Sequence, residues 1–235
     1  MKFATFLAAG PSESVEDFQR WLQHDYAPSF ANSATGLVNA IIRSSVEPPP
    51  ARNSPGAATQ KPDPAHLPYH ALIESWFVTA EDFRRTAREA EPMLRDHGAR
   101  FVSYRTTPLL EIDPRFSEAS IEGKRPALTL ITPVKWLADL PKSEARRHWD
   151  EHVSTALRVH VGLTKYERNW VDEVMSWSIG AEPVDAYADF SFATLDDYTD
   201  RFFPGDADRL EINQDIVNSI SSGSALFLSD ARRIV

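Results

Sequence analysis

Alternating and helically spaced hydrophobic residues predict strands and helices in a regular order. Residues 71–78 alternate in polarity, with Ile73 and Phe77 on one side and Glu74 on the other, which is typical of a β-strand. Residues 15–22 instead place Val15, Phe18 and Leu22 at helical spacing. The same patterns along the rest of the chain predict two successive sets of strands and helices.

Each set has the order strand, helix, strand, strand, helix, strand. The first comprises strands over 2–8, 37–43, 71–78 and 109–112, a helix from 14 that Pro28 and residues 32–36 end, a helix over 80–95, and a turn or short strand over 101–104. The second comprises strands over 128–133, 163–171, 184–192 and 225–228, a helix over 141–159, a helix from 194 that is interrupted at 204–205 and resumes over 206–218, and a tail over 230–235. This is the βαββαβ order of ferredoxin-like folds.

Two sequence matches indicate that the second set repeats the first. Trp21-x-x-His24 recurs as Trp149-x-x-His152, and residues 71–83 align without gaps with residues 186–198. Trp and His three residues apart lie on one side of a helix. The prediction is therefore an α+β protein of two fused ferredoxin-like halves, 1–115 and 116–235, whose sheets pack face to face as an intramolecular dimeric α+β barrel.

A proline-rich stretch separates two strands of the first half. Residues 46–68 contain prolines that cannot continue a helix or a central strand, so a long surface loop is predicted there. This loop is either a disordered excursion or a flap over a pocket. A polar linker is predicted over 113–125.

Composition narrows the classes of function. The 235 residues include no cysteine, which removes thiol catalysis and thiolate metal sites. A net charge of −9 argues against nucleic-acid and anionic-membrane partners, and no stretch approaches the ~20 apolar residues of a membrane span. A cytoplasmic location is expected. The sequence leaves a homodimer of fused chains open, and it contains no glycine-rich nucleotide loop and no Gly-x-Ser-x-Gly motif.

At this point the sequence resembles the EthD family of the dimeric α+β barrel superfamily. The resemblance is carried by Phe18-x-x-Trp21-x-x-His24-x-x-x-Pro28 and by the segment 73–83, and the second half keeps Trp149-x-x-His152 without the proline. The resemblance implies a ligand pocket between the helices and the sheet. Relatives in this superfamily include cofactor-free monooxygenases, polyketide cyclases, isomerases and lyases. The resemblance therefore implies a reaction of one of these kinds.

The candidate catalytic residues are two histidines and two carboxylates. His24 and His152 are predicted to move a proton, because an imidazole exchanges protons near neutral pH without a cofactor. Glu74 and Asp189 occupy equivalent strand positions between hydrophobic residues, where partial desolvation would suit a general base or an orienter of an imidazole. The structural alternatives are a histidine at a helix end that bonds a loop carbonyl, with the tryptophan in the core, and a carboxylate that is solvated or paired with arginine.

Aromatic side chains are predicted to bind the substrate, since flat rings offer apolar walls and tyrosines add a hydroxyl. These candidates are Trp21, Tyr26, Tyr69, Trp76, Trp149 and Tyr166. His148-x-x-x-His152 also matches a zinc-peptidase spacing, but the equivalent of His148 in the first copy is Arg20, so no metal ligand and no cofactor is predicted.

The sequence therefore predicts an enzyme that needs no cofactor. It would act by acid–base chemistry on a small aromatic or polyketide-like oxygenated molecule, as a lyase, isomerase or cyclase, or as a cofactor-free monooxygenase. The alternative is a non-catalytic accessory protein that binds a small molecule in a catabolic or biosynthetic pathway.

Overall fold

A computed structural model describes residues 1–47, 69–112, 126–181, 183–217, 219–222 and 226–234. The elements of the first set are β1 (Lys2–Ala8), α1 (Val15–Trp21), a π-helical turn (Leu22–Tyr26), α2 (Ala27–Ser33), β2 (Leu37–Ser45), β3 (Ala71–Phe77), α3 (Ala80–Asp96) and β4 (Arg100–Ile112). Those of the second set are β5 (Leu128–Trp136), α4 (Lys142–Val159), β6 (Leu163–Trp177), β7 (Ala186–Phe192), α5 (Leu195–Arg201), α6 (Asp206–Ile216), β8 (Ile220–Ser222) and β9 (Leu226–Arg233). The predicted order of strands and helices is present in both.

The strands form one closed antiparallel barrel. In the first set β1 lies between β4 and β3, and β3 pairs with β2; in the second, β5 lies between β9 and β7, and β7 pairs with β6. β4 pairs with β6 and β2 pairs with β9, which joins the two sets along both edges. The prediction that two separate sheets pack face to face is wrong, because pairing along both edges closes them into one eight-stranded barrel. The short strand β8 pairs with β5 and lies outside this ring of eight.

Strand alternation divides the core into three parts. Side chains such as Phe6, Leu72 and Tyr104 fill the barrel interior. The opposite strand faces carry a layer with Phe3 under the helices of the first set and a layer with Phe190 under those of the second. Because successive side chains point to opposite sheet faces, each strand contributes both to the interior and to a helix layer.

The helix starts follow the capping signals in the sequence. The side-chain oxygens of Ser14, Thr79 and Thr194 accept hydrogen bonds from backbone N–H groups three residues later. This satisfies donors that a helix start leaves unpaired. Thr194 forms a full capping box with Asp197. The two threonines also start α3 and α5 at equivalent points of the two sets.

Several boundaries differ from the prediction. Residues 101–104 and 109–112 belong to one long strand, β4, because pairing with β6 continues past the exposed residues between them. Pro28 does not end the first helix: it lies directly after the π-helical turn, at the start of α2, and the helix ends at Ser33, within the predicted stop over 32–36. β9 extends through much of the predicted tail because it pairs with β2. Most of the proline-rich loop and the linker lie outside the described residues.

The described helices include none with the length and apolar character of a membrane span.

Candidate functional site

A cavity of about 360 Å³ lies between the helices of the second set and the sheet. Its floor is formed by β5, β6 and β7, and its walls by α4, α5 and α6. Most of the lining is aromatic or aliphatic, as in sites that bind small organic molecules. This is the location that the resemblance implied, between helices and sheet.

The interruption of the second helix shapes this cavity. Pro204 has no N–H and restricts the residue before it, so α5 ends at Arg201 and α6 begins at Asp206. Phe202 and Phe203 in the intervening turn line the cavity. The corresponding helix of the first set, α3, is continuous over 17 residues and lies on a core that includes Phe83.

His152 lies in the wall of the cavity and is held by a carboxylate. Its Nδ1 lies 2.6 Å from Oδ2 of Asp215, which projects from α6. An ionised carboxylate only accepts hydrogen bonds, so Nδ1–H donates and Nε2 carries the lone pair. The side chain of His152 is 12% exposed, and its described hydrogen bonds leave Nε2 without a partner. This arrangement fixes the tautomer of an imidazole that can accept a proton.

Trp149 and Tyr166 are the predicted aromatic residues that line the same cavity as His152. Trp149 is buried, and its ring centre lies 4.7 Å from that of Trp170. Tyr166 is fully buried, and its hydroxyl has no hydrogen bond of regular geometry with a described residue. Burial raises the pKa of Tyr166, so its hydroxyl stays protonated and can donate. The lining of the cavity therefore combines apolar side chains with a buried tyrosine.

His160 is a second imidazole of the cavity that sequence reasoning missed. It caps α4, is 4% exposed, and donates from Nδ1 to the backbone carbonyl of Phe202 at 2.6 Å. Its ring stacks on Phe202 with 4.0 Å between ring centres. Burial lowers the pKa of His160 to about 4, and the neighbouring His152 contributes to this. A lone histidine at a helix end gives no signal in the sequence that could have identified it.

The low pKa of His160 gives a pH-dependent stability. An unfolded histidine takes up a proton near pH 6.5, whereas folded His160 does so near pH 4. Between these values the unfolded state binds more protons, so the free energy of unfolding falls as pH falls from 7 to 4. We expect the decrease in the free energy of unfolding between pH 7 and pH 4 to be smaller in His160→Phe than in the wild type, by on the order of 3 kcal/mol. Urea unfolding of the wild type and the variant at pH 7 and pH 4 measures this difference. An equal decrease in both proteins would contradict a lowered pKa of His160.

The first copy of the Trp-His motif lies in a different environment. The π-helical turn that contains His24 is wider than an α-helical turn and changes which residues face the core. Leu22 and Tyr26 are buried there, whereas His24 is exposed. Trp21 stacks on His97 with 3.6 Å between ring centres. The structure thus separates His24 from the cavity, and Tyr26 packs in the core of the first set.

Glu74 and Asp189 meet inside the barrel. Both are buried, and they lie with Glu167 in a group whose ligand atoms are within 4.8 Å of one another. Glu74 forms ion pairs with Lys2 at 2.6 Å and with Arg43, and Asp189 pairs with Lys165 at 2.7 Å. Glu74 is therefore a carboxylate paired with arginine, which is one of the structural alternatives named for it above. Among the described residues no hydrogen bond or ion pair joins either carboxylate to a histidine.

Two members of this interior network, Glu167 and Lys2, have pKa values shifted in favour of their charged forms. Burial raises the pKa of Glu167, but Lys2 and Lys165 outweigh it and hold the pKa at about 2. Burial lowers the pKa of Lys2, but the surrounding Tyr187, Glu167 and Asp189 raise it on balance. Three carboxylates face Lys2, Arg43 and Lys165, so their charges are already compensated. A metal ion would have to displace an ammonium group from this cluster.

The other candidates lie apart from the cavity. Tyr69 is buried in the barrel interior against Phe6, with 5.2 Å between ring centres. Trp76 lines a shallow recess at the end of the barrel, where the Lys2 ammonium lies 5.5 Å from its ring centre. His148 lies beside Arg147, and the described residues place it in no group of three metal-ligand side chains.

Comparison with known proteins shows the fold. A putative monooxygenase from Fusobacterium nucleatum superposes with a TM-score of 0.53 at 8% identity, over 99% of this chain and 93% of that chain. A putative monooxygenase from Lactobacillus acidophilus gives 0.46 at 9% identity, over 100% and 93%, and a putative chlorite dismutase gives 0.48 at 10%, over 97% and 94%. No family model and no curated protein matches the sequence. At this low identity the likeness shows the fold alone.

Proposed function

We propose that the cavity of the second set binds a small aromatic or polyketide-like oxygenated molecule and that His152 moves a proton on it. The observation that carries this proposal is the His152–Asp215 pair, held at 2.6 Å in the wall of an otherwise largely apolar cavity. A carboxylate on one ring nitrogen leaves the other as a base and stabilises the imidazolium that forms. The chemistry is supplied by side chains and needs no thiol.

The proton transfer can be written for an enolisable ketone. Nε2 of His152 takes a proton from the carbon next to the carbonyl, the C–H electron pair moves into the enolate, and the negative charge develops on oxygen. Tyr166 lines the cavity, its hydroxyl has no hydrogen bond of regular geometry with a described residue, and under this proposal the hydroxyl donates to that oxygen. Return of the proton to carbon or oxygen completes an isomerisation, and expulsion of a β-substituent completes an elimination. Both outcomes belong to the lyase and isomerase class.

Blocking the mouth of the cavity tests where the ligand binds. Asn213 lies on α6, is exposed and lines the cavity, whereas Leu210 on the same helix is 56% exposed and lies outside the lining. We expect Asn213→Trp to weaken binding of 2-naphthol at least about tenfold, because a ring at the mouth occupies space that the ligand needs. Leu210→Trp serves as the matched control. Calorimetric titration measures both, and equal affinities would contradict a site in this cavity.

We also propose that the two sets of elements are two fused, diverged copies of one EthD-like domain. Their shared strand order, the equivalent Thr79 and Thr194 caps and the equivalent interior carboxylates Glu74 and Asp189 support it. Fusion allows the copies to diverge, and only the second contains the cavity described above. Under this proposal the chain supplies both halves of a barrel that relatives build from two subunits.

A further inference from the structure

Two imidazoles line the cavity, and their Nδ1 atoms are held by different acceptors. His152 donates to the carboxylate of Asp215, and His160 donates to the backbone carbonyl of Phe202. A carboxylate stabilises a positively charged ring, whereas a carbonyl among phenyl rings does so much less. The Asp215 carboxylate can stabilise an imidazolium that forms at His152 during a reaction, whereas burial lowers the pKa of His160 and keeps its ring neutral.

The His160 ring is fixed in orientation. It stacks on Phe202 and meets the ring of Phe203 edge to face, with 5.0 Å between ring centres, and that of Phe190 at 5.8 Å. Because Nδ1 holds the proton, Nε2 has a lone pair in the ring plane. The described hydrogen bonds of His160 involve Nδ1 and leave Nε2 without a partner. A ligand hydroxyl is the group that such a fixed, neutral acceptor recognises.

We infer that His160 determines specificity by accepting a hydrogen bond from the hydroxyl group of an uncharged aromatic alcohol, a phenol or an enol. This inference rests on the proposed function, since it concerns the same cavity. The surrounding phenyl rings supply the apolar wall for the ring of the ligand. An ether lacks the required donor, and a carboxylate at neutral pH would place its negative charge against the Nε2 lone pair.

Arg209, a cation, also lines the cavity and would favour an anionic ligand, so the test includes an anionic probe. The guanidinium of Arg209 lies 5.2 Å from the ring centre of Phe203. If this group selected the ligand, a carboxylate would bind more tightly than a phenol of the same size. The probes are therefore 2-naphthol, naphthalene, 2-methoxynaphthalene and 2-naphthoate, each titrated calorimetrically at pH 7.

The wild-type protein should bind 2-naphthol about tenfold more tightly than naphthalene or 2-methoxynaphthalene, the ratio of one buried hydrogen bond. 2-Naphthoate should bind more weakly than 2-naphthol. In His160→Phe the preference for naphthol over naphthalene should fall to about twofold or less, while the affinity for naphthalene changes little. Loss of structure alone would weaken both ligands together, so the ratio isolates the hydrogen bond.

The outcomes separate this inference from the proposed function. If naphthol and its methyl ether bind the wild type equally, or if the ratio is the same in His160→Phe, the role of His160 is wrong and the cavity still stands as a binding site. Preference for 2-naphthoate would also overturn it, in favour of Arg209. If none of the four probes binds, both fail. The wild-type comparison of naphthol with its ether decides even where the variant does not fold.

Discussion

Replacing Glu74 with Gln is expected to lower the free energy of unfolding by about 3–5 kcal/mol, the range for breaking a buried ion pair by neutralising one partner. Glu74 is 1% exposed and faces both Lys2 and Arg43 inside the barrel. Glutamine keeps the shape but leaves two buried cations short of one negative charge. Urea unfolding at pH 7, followed by far-ultraviolet circular dichroism, measures the change.

Glu173 provides the matched control. It also belongs to a strand and faces two cations, Arg84 at 3.1 Å and Arg105 at 3.3 Å, but its side chain is 39% exposed. Water screens such pairs, and their contribution to stability is small. Glu173→Gln should therefore leave the unfolding midpoint nearly unchanged. If the Glu74 and Glu173 variants behave alike, the interior network does not stabilise the barrel in the way described.

Replacing His152 with Ala is expected to slow proton exchange on a bound ketone by about 10²- to 10⁴-fold, the usual contribution of a general base. The assay follows deuterium uptake next to the carbonyl of 2-tetralone in D₂O by nuclear magnetic resonance. The wild-type protein should accelerate uptake over buffer. Asp215→Asn should also slow it, because a neutral amide stabilises the imidazolium much less than a carboxylate does and no longer fixes the tautomer of the ring.

His24→Ala is the matched control for this experiment. His24 occupies the equivalent place in the first Trp-His motif, but it is exposed on the π-helical turn and lies apart from the cavity. Its loss should leave the exchange rate unchanged. Equal rates in the wild type and His152→Ala would refute the catalytic role. Tight binding of the ketone without any exchange would instead describe a non-catalytic binding protein.

The sequence predicts the arrangement of elements well because local signals determine it. Strand alternation gives β3, the Thr79 and Thr194 caps give the starts of α3 and α5, and Pro204 gives the interruption between α5 and α6. The closure of the barrel does not follow from such signals. It depends on pairing of β2 with β9 and of β4 with β6, between strands far apart in the chain.

The candidate site also depends on contacts between distant residues, which local sequence signals do not determine. Trp149, His152 and Tyr166, all candidates from the sequence, line one cavity. Asp215, which holds His152, lies 63 residues away in sequence, so only the packing of α6 on α4 brings the two together. Glu74 and Asp189 were placed on equivalent strands, but alternation alone does not say which face of a strand lies inside the barrel.

The π-helical turn explains why two similar motifs differ. Trp21-x-x-His24 and Trp149-x-x-His152 have the same spacing, but the first continues into a π-helical turn and the second lies in the regular helix α4. One helix therefore exposes its histidine, and the other places it in a cavity wall. The signal for this difference is the packing of Leu22 and Tyr26 against the core, which a four-residue motif does not contain.

The most direct test of the account follows the tryptophan indole N–H resonances by nuclear magnetic resonance during titration with 2-naphthol. Trp149 lines the cavity of the second set, whereas Trp21 is its counterpart in the first set and Trp76 lies at the barrel end. Substitution of each tryptophan by phenylalanine assigns the signals. The account predicts that the Trp149 signal shifts with saturation while those of Trp21 and Trp76 stay in place. A saturable shift of Trp21 or Trp76 with Trp149 unmoved would contradict it.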